Sequence, residues 1–429
     1  MSTKVITRFP PSPTGPLHIG RVRTMLFTYL FTKQNNGKTI LRFEDTDLAR
    51  SKREFEGQII ESLNWLGLEY HDGPYRQMDR VGVYRKYLDD LIARNLAYVS
   101  KEEVKEEKHR EEVIRFRNPS KIVTFNDLLR GEISFDTTDL GDFIIARSLE
   151  EPLYHFTVVV DDHEMGISHV TRGEEHISNT PRQILIQEAI GAKRPIYVHM
   201  PLILAPDKSK LAARHGAKAV LDYRDDGYLP DAIINFLALL GWHTVDDREV
   251  FSREELLEAF DINRVQKTGA VFDIVKLNWL NREHMKKLSP DELIEKAKPF
   301  LPNPESARYL PLLLERIDKF GDTKTMLADG GEFDFLLKQP VLTKELLIGK
   351  SGASAEDIVQ HLKYILEKGI EREVVWPYAE QMGKGKVLWP MRVALSGKEK
   401  SPDPFTLVRY LGAQESKERI NNAKDILDN

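Results

Sequence analysis

Residues 4–47 constrain what this chain can fold into more than any other stretch. Residues 4–9, with Arg8 and Phe9 at their end, are β-rich and short, as a buried parallel strand is. The run Pro10, Pro11, Ser12, Pro13, Thr14, Gly15, Pro16 continues neither a helix nor a sheet, because proline removes donors and fixes φ while glycine frees it. From 17 to 35 the apolar residues Leu17, Ile19, Val22, Leu26, Tyr29 and Leu30 fall at helical spacing, and Asn35, Asn36 and Gly37 supply the stop. Residues 39–43 read as a second strand, halted by the acidic knot Glu44, Asp45, Thr46, Asp47. This order predicts a right-handed crossover with the loop and the knot at one edge of a parallel sheet, the carboxyl edge at which open α/β sheets bind ligands. Arg8, Ser12, Thr14, His18 and Glu44 are therefore expected to converge. His18 falls in the first helical turn, where unpaired N–H groups and the helix dipole favour an anion such as a phosphate. Neither Gly-x-Gly-x-x-Gly nor Gly-x-x-x-x-Gly-Lys-Ser/Thr occurs here, so the anion must be held by a different device. Taken singly, a histidine at a helix start or an acidic strand end has an ordinary structural reading.

Residues 11–20, Pro-Ser-Pro-Thr-Gly-Pro-Leu-His-Ile-Gly, followed at 42–47 by Arg-Phe-Glu-Asp-Thr-Asp, resemble the first signature region of the class I glutamyl-tRNA synthetases. The sister glutaminyl enzymes characteristically carry Pro-Glu-Pro-Asn-Gly where this chain has Pro-Ser-Pro-Thr-Gly. The last position of the class motif is Arg21, a mild departure in a family that often lacks the second histidine.

At 429 residues the chain exceeds what one core holds and predicts about two to four domains. Hydrophobic residues at 41% and charged residues at 30% describe a globular protein. No apolar run approaches the ~20 residues of a membrane span, and no signal-peptide core precedes the first strand, so the expected location is cytoplasmic, away from membranes. The absence of cysteine excludes disulfides and thiolate metal sites. A net charge of -5 argues against a coat of basic charge for indiscriminate nucleic-acid binding but leaves room for a local basic groove.

Further on, 50–66 and 84–95 read as amphipathic helices. The mixed-sign run 100–117 reads as a solvated helix held by i,i+4 pairs, and 122–135 and 143–145 have strand character. Residues 87–149 thus look like an α+β insertion splitting a Rossmann-like nucleotide fold. Some family members carry a zinc knuckle here; with only His109 in the run, no zinc is expected. Residues 153–162 read as an apolar strand running into Asp161 and Asp162, a pair that could hold Mg²⁺ but is more often found in turns or caps. Residues 172–183, starting at Arg172, Gly173, Glu174, Glu175, His176, are expected to open a helix after a loop.

The family's second signature, Lys-Leu-Ser-Lys-Arg-His-Gly, is matched at Lys210, Leu211, Arg214, His215 and Gly216, whereas Ala212 and Ala213 depart from it. Losing a preorganised donor at such a KMSKS-like loop typically costs roughly 10²–10³ in rate. Either Lys208, Lys210 and Arg214 supply the charge instead or activation is slow. Residues 232–240, 254–260 and 276–287 are predicted helices, as are 309–320, 332–338, 355–368 and 373–382. Residues 383–397 combine bases with Trp389, a composition suited to phosphates and stacked bases, although the indole reads equally as core.

The resemblance implies a Rossmann-like catalytic domain in two halves, 1–86 and 150–203, around an acceptor-end insertion at 87–149. A stem-contact domain with the KMSKS-like loop at 204–300 and an all-α anticodon-binding domain at 301–429 would follow. It implies ATP-dependent activation of L-glutamate to glutamyl-adenylate, with Mg²⁺, and transfer to the 3′-terminal adenosine of tRNA(Glu), by a monomer; charging of tRNA(Gln) is left open. Arg8, Ser12, Glu44, Tyr154 and Arg172 would bind glutamate, and a guanidinium fork is the natural reader of a carboxylate that an amide would mimic only without charge. Thr14, His18, Gly20, Glu174, Lys210 and Ala213 would bind ATP, with His18, Lys210 and Arg214 catalytic. For Arg172 alone a structural salt bridge is the competing reading. Ala212 and Ala213 motivate an alternative from another class, a paralogue that binds tRNA or nucleotide without catalysis.

Overall fold

A computed structural model describes residues 4–102, 112–211 and 218–428, and the chain divides into two compact units, Met1–Lys287 and Leu288–Asn429. In the first unit β1 (Ile6–Phe9) and β2 (Lys38–Phe43) pair in parallel, Ile6 opposite Lys38 and Phe9 opposite Leu41, with α1 (Ile19–Gln34) as the crossover. The crossover is fixed by burial: Phe9, Ile19, Val22, Leu26, Leu41 and Phe43 all lie in one core. After α2 (Arg53–Leu66), β3 (Asp72–Arg76) extends the sheet beyond β2.

The polypeptide then leaves through α3 (Val81–Ala93) into β4 (Ala97–Lys101), β5 (Glu112–Phe116), the hairpin β6 (Ile122–Asp127) and β7 (Gly131–Asp136), and β8 (Phe143–Ser148) with β9 (Glu151–Pro152). Strands β4, β5, β8 and β9 make one antiparallel sheet. The expected solvated helix over 100–117 is overturned at both ends: Lys101 stands opposite Glu112 in the β4–β5 ladder, where β-branched and aromatic residues such as Val113, Ile114 and Phe116 are buried. Charges dominated the reading of that run, yet most of them fall on 103–111, which with His109 lie outside the described residues.

A second correction concerns 153–162, which forms not a strand but α4 (Tyr154–Glu164). Every side chain from Phe156 to Asp162 is buried, and an apolar run hidden on all sides carries no periodicity to separate helix from strand. Arg172, expected to open a helix, lies on β10 (His169–Gly173), and the helix α5 (Thr180–Ala189) begins only after a short 3₁₀ turn at Glu174–Asn179. Strand β10 runs beside β1, where the Ser168 N–H donates to the Ile6 carbonyl at 2.9 Å. It pairs in parallel with β11 (Ile196–Met200), which in turn meets β6 at Tyr197 opposite Asp127. The β6–β7 hairpin therefore continues the main sheet rather than the insertion's own. The unit closes with β12 (Ile203–Leu204), α6 (Val220–Asp225), α7 (Pro230–Leu239), α8 (Arg253–Ala259), β13 (Ala270–Val271) and α9 (Ile274–Lys286).

The second unit is helical. Ala355–Lys368, Arg372–Met382, Lys384–Ser396, Pro404–Leu411 and Ala413–Asp428 enclose Ile358, Leu362, Val387, Met391, Leu407 and Ile420. Ser354 starts the first of these with a capping box, its hydroxyl accepting from the Asp357 N–H at 3.1 Å. The helices expected over 309–320 and 332–338 shrink to Leu310–Leu313 and a 3₁₀ turn at Asp334–Leu336, because Pro311 suits only a first helical turn and Phe333 and Phe335 are pulled into the core. Trp389 is half-buried against that core and its indole N–H donates to the Leu346 carbonyl at 3.2 Å.

Candidate functional site

The proline-rich loop after β1 is held by backbone bonds at both of its shoulders. The Glu44 N–H donates to the Pro11 carbonyl at 3.0 Å and the Lys52 N–H to the Pro13 carbonyl at 2.9 Å. The loop thus lies over the end of β2, and His18 stands at its exit as the extended N-cap of α1, one residue ahead of the expected first turn. Its imidazole is exposed, no side chain caps this helix, and no acidic residue occupies the first turn. That leaves the helix mouth open to an anion.

Behind the loop sits a buried charge network. Arg42, wholly buried, reaches Asp162 at 2.9 Å and Glu44 at 3.1 Å, and Arg8 donates from Nε to Asp162 at 3.1 Å. Arg80 pairs with Asp161 at 2.7 Å, and the Tyr84 hydroxyl donates to the same carboxylate at 2.7 Å. Arg8, Arg42 and Arg80 balance Glu44, Asp161 and Asp162 charge for charge. Burial pushes the Glu44 carboxyl above its ordinary range, an effect that Arg42 and Arg8 offset only in part. Burial would do the same to Asp162, but Arg8 and Arg42 outweigh it and hold that carboxyl low. The paired aspartates weighed for Mg²⁺ are thereby committed to arginines on a buried helix, and they are neither turn nor cap residues. Among the described residues no group of three or more His, Cys, Asp or Glu side chains is placed to hold a metal ion.

Arg172, 6% exposed, is different. Its Nε donates to His199 Nε2 at 3.1 Å, and its two terminal nitrogens donate to the Gln183 side-chain amide oxygen at 2.6 Å and the Thr180 hydroxyl at 2.7 Å. None of these partners is a carboxylate, and among the described residues none closes an ion pair with Arg172. A guanidinium has five N–H groups, so both terminal nitrogens keep one to offer. Buried charge is normally paired, and an unpaired one facing a cavity marks a place for a counter-ion. Arg23 is also buried and, among the described residues, has no carboxylate partner, but it clamps backbone, donating to the carbonyls of Leu240 and Pro201; burial lowers its pKa to about 10.

These elements surround one cavity of about 550 Å³. Of the residues singled out from sequence, Arg8, Ser12, His18, Gly20, Glu44, Tyr154, Arg172 and Lys210 line it. Thr14 and Glu174 do not. Glu174 is turned to the Arg130 guanidinium at 2.6 Å and the Leu202 N–H at 2.8 Å, while its neighbour Glu175 faces the cavity, 3.5 Å from Lys210. Lys210 follows a tight turn in which the Ala205 N–H donates to the Ser209 carbonyl at 2.8 Å. Ala212, Ala213, Arg214, His215 and Gly216 lie outside the described residues.

Sequence reasoning missed Arg23, Glu175 and His176 as wall residues. Arg23 was hidden in an otherwise apolar helical pattern; His176 stood in plain view inside the motif that begins at Arg172. Burial, with Arg172 adding to it, lowers the His176 pKa to about 4, and burial with Arg182 and Arg172 does the same for His155, so neither imidazole adds charge at neutral pH. Five basic side chains, Arg8, Arg21, Arg23, Arg172 and Lys210, then face two carboxylates, Glu44 and Glu175, across the cavity. Such a lining suits a polyanion beside a smaller acid.

The model for the catalytic domain of class I tRNA synthetases (E and Q) matches residues 4–112 and 100–279, and that for an anticodon binding domain matches 292–424. The chain is 39% identical over 477 residues to the glutamate–tRNA ligase of Carboxydothermus hydrogenoformans, covering 97% of this chain and 99% of the relative. It is 41% identical over 464 residues to glutamate–tRNA ligase 1 of Coxiella burnetii, covering 97% of each. Among solved structures, a glutamate tRNA ligase from Elizabethkingia meningosepticum in complex with its amino acid superposes with a TM-score of 0.87 at 31% identity, over 99% of this chain and all of that one. Full-length similarity at this level, joined to a basic cavity built from the loop at 10–16, the mouth of α1 and the strand bearing Arg172, places the chain in the class I tRNA synthetases (E and Q).

Proposed function

We propose that the protein is a glutamate–tRNA ligase, joining L-glutamate to the 3′-terminal adenosine of tRNA(Glu) at the expense of ATP. The observation that carries this reading is the buried Arg172 guanidinium with neutral partners on a cavity wall. Glutamate carries one net negative charge. Its side-chain carboxylate would complete Arg172, its α-ammonium would meet Glu44, and Arg8 has N–H groups left beyond those given to Asp162 and the Thr171 carbonyl. Glutamine would leave Arg172 unpaired in a desolvated pocket, the kind of mismatch that a site built for an ion rejects strongly. Tyr154, lifted in pKa by burial and by Glu44, would cover the aliphatic part of the substrate, and Ser12 lines the same cavity.

In the first step the glutamate α-carboxylate attacks the α-phosphorus of ATP in line and pyrophosphate leaves. No protein nucleophile is needed; holding the two reactants side by side carries the rate. His18 and the open α1 mouth stabilise charge on the phosphoryl oxygens, Gly20 lets the phosphates approach, and Lys210 on the cavity wall meets the departing pyrophosphate, a role the family resemblance extends to Arg214. Mg²⁺ bound to ATP would neutralise part of the triphosphate charge. In the second step a ribose hydroxyl of the terminal adenosine attacks the mixed anhydride and releases AMP. Residues 87–149 serve the acceptor end, 204–300 the stem and 301–429 the anticodon, in a cytoplasmic monomer.

Charging of total tRNA with labelled glutamate tests the reading, with tRNA(Gln) as a second substrate; a nucleotide- or tRNA-binding paralogue would yield no ester. Pyrophosphate exchange in an Ala213→Lys variant tests whether neighbouring bases replace the missing lysine. A gain below about tenfold is expected, and one of a hundredfold or more, the size of a lost preorganised donor, would refute compensation.

A further inference from the structure

We propose that Asp127 and His199 are positioning residues for amino-acid selection, a two-residue relay that carries the orientation of the β6–β7 hairpin into Arg172 while leaving the guanidinium charge free for substrate. The proposal rests on the reading that Arg172 binds the glutamate side-chain carboxylate.

Asp127 is the last residue of β6, and each of its oxygens is used twice. Oδ1 accepts from the Leu129 and Arg130 N–H groups, both at 3.0 Å, which closes the hairpin turn. Oδ2 accepts from the His199 backbone N–H at 2.9 Å and from His199 Nδ1 at 2.7 Å. A carboxylate with four donors is fixed in place and ionised. Because Nδ1 faces that carboxylate, it carries the imidazole proton, so Nε2 presents its lone pair to Arg172 Nε–H at 3.1 Å; the Thr180 hydroxyl also lies 3.2 Å from Nε2, but its proton is directed to the His176 carbonyl at 3.0 Å. The ring must be neutral for this, and burial holds its pKa low despite Asp127, with Arg172 pushing the same way as burial.

The order of the relay matters chemically. If Asp127 touched Arg172 directly, the two charges would close on each other and the pocket would have no cation to offer. The imidazole separates them, so that orientation passes through and neutralisation does not. Gln183 and Thr180 keep to the same rule, each an uncharged acceptor on a different terminal nitrogen. The hairpin turn is anchored a second time through Arg130, which donates to the His199 carbonyl at 3.3 Å and to Glu174 at 2.6 Å. A purely structural bolt between β6 and β11 would need the backbone and carboxylate contacts only; it would not need the imidazole lone pair turned toward Arg172.

The test measures glutamate KM, ATP KM and kcat in full-length Asp127→Asn, His199→Phe, His199→Gln and Arg172→Ala, with thermal unfolding of each. Loss of the hydrogen-bond partners that orient metal-ligating side chains typically costs roughly 10–100-fold, and a factor of the same order is expected for a guanidinium oriented in the same way. Asp127→Asn and His199→Phe should therefore raise glutamate KM by roughly that factor, with ATP KM changed less than about threefold, and both should erode discrimination against glutamine. His199→Gln, which keeps one donor and one acceptor, should recover most of the loss. The His199 ring should also show the ¹⁵N signature of a neutral imidazole protonated at Nδ1. If Arg172→Ala raises glutamate KM while Asp127→Asn and His199→Phe leave it unchanged, the relay is refuted and the substrate assignment stands. Equal rises in both KM values, or no advantage of Gln over Phe at 199, would refute it as well, by assigning the pair to packing. An Arg172→Ala variant with unaltered glutamate KM would overturn the substrate assignment and the relay together.

Discussion

Two buried arginines within the same unit show how a fold separates stability from recognition. Arg42 is closed in by Glu44, Asp161 and Asp162, and those carboxylates with Arg8 and Arg80 form a set whose charges cancel. Arg172 is held as firmly, but by an imidazole, an amide and a hydroxyl. Cancelled charge makes a scaffold, of which only Glu44 and Arg8 also face the cavity, whereas oriented but uncancelled charge makes a receptor. The difference lies in the partners, since the two guanidinium groups are chemically the same.

Breaking the first set should give the largest effect. Arg42→Met leaves buried carboxylates without their cation and should cost about 3–5 kcal/mol in denaturant unfolding. A loss below about 1 kcal/mol would mean that water reaches the network. Arg172→Gln should do the reverse: unfolding free energy equal to the parent or slightly higher, with transition-state binding of glutamate weaker by about 2–4 kcal/mol, read as kcat/KM. If the two variants behave alike, the contrast between scaffold and receptor fails. Acid sharpens it further. His155 and His176, beside Arg172, have pKa values lowered from 6.5 to about 4, so the folded state holds them neutral where the unfolded chain would protonate them. They cost nothing at pH 7, and stability should fall as pH drops from 6.5 toward about 4, on the order of 3 kcal/mol for each ring. In Arg172→Gln that loss should be smaller, because removing a cation that opposes protonation brings the folded-state pKa values of both rings back toward 6.5. The smallest change is expected for Tyr84→Phe, which deletes one hydrogen bond to Asp161 and should cost about 1–2 kcal/mol of stability with glutamate KM unchanged.

Much of the cavity was legible because its residues cluster in chain segments with strong local signals. The prolines and glycine of 10–16 allow only a loop, and the alternation of strand and helix around them sets which edge they share, so Arg8, Ser12, His18 and Glu44 meet at one cavity as expected, whereas Thr14 does not line it. What stayed hidden depends on contacts distant in sequence. The run 153–162 is apolar on every side, so its periodicity could not reveal a helix, and Asp161 and Asp162 find their purpose only in Arg8, Arg42 and Arg80, far away along the chain. Glu174 and Glu175 are adjacent and alike, yet a strand end turns the first toward Arg130 and the second toward Lys210. His199 and Asp127 carried no motif at all; their role exists only because β6 pairs with β11.

That pairing sets a limit on grafting. Because the β6–β7 hairpin lies in the ladder of the main sheet, exchanging residues 87–149 between members of this family would transplant Asp127 and Arg130 along with the antiparallel sheet. A chimaera meant to change only that sheet would also change the residues that hold His199 and, through it, Arg172, unless the cut is made so that the recipient keeps its own hairpin.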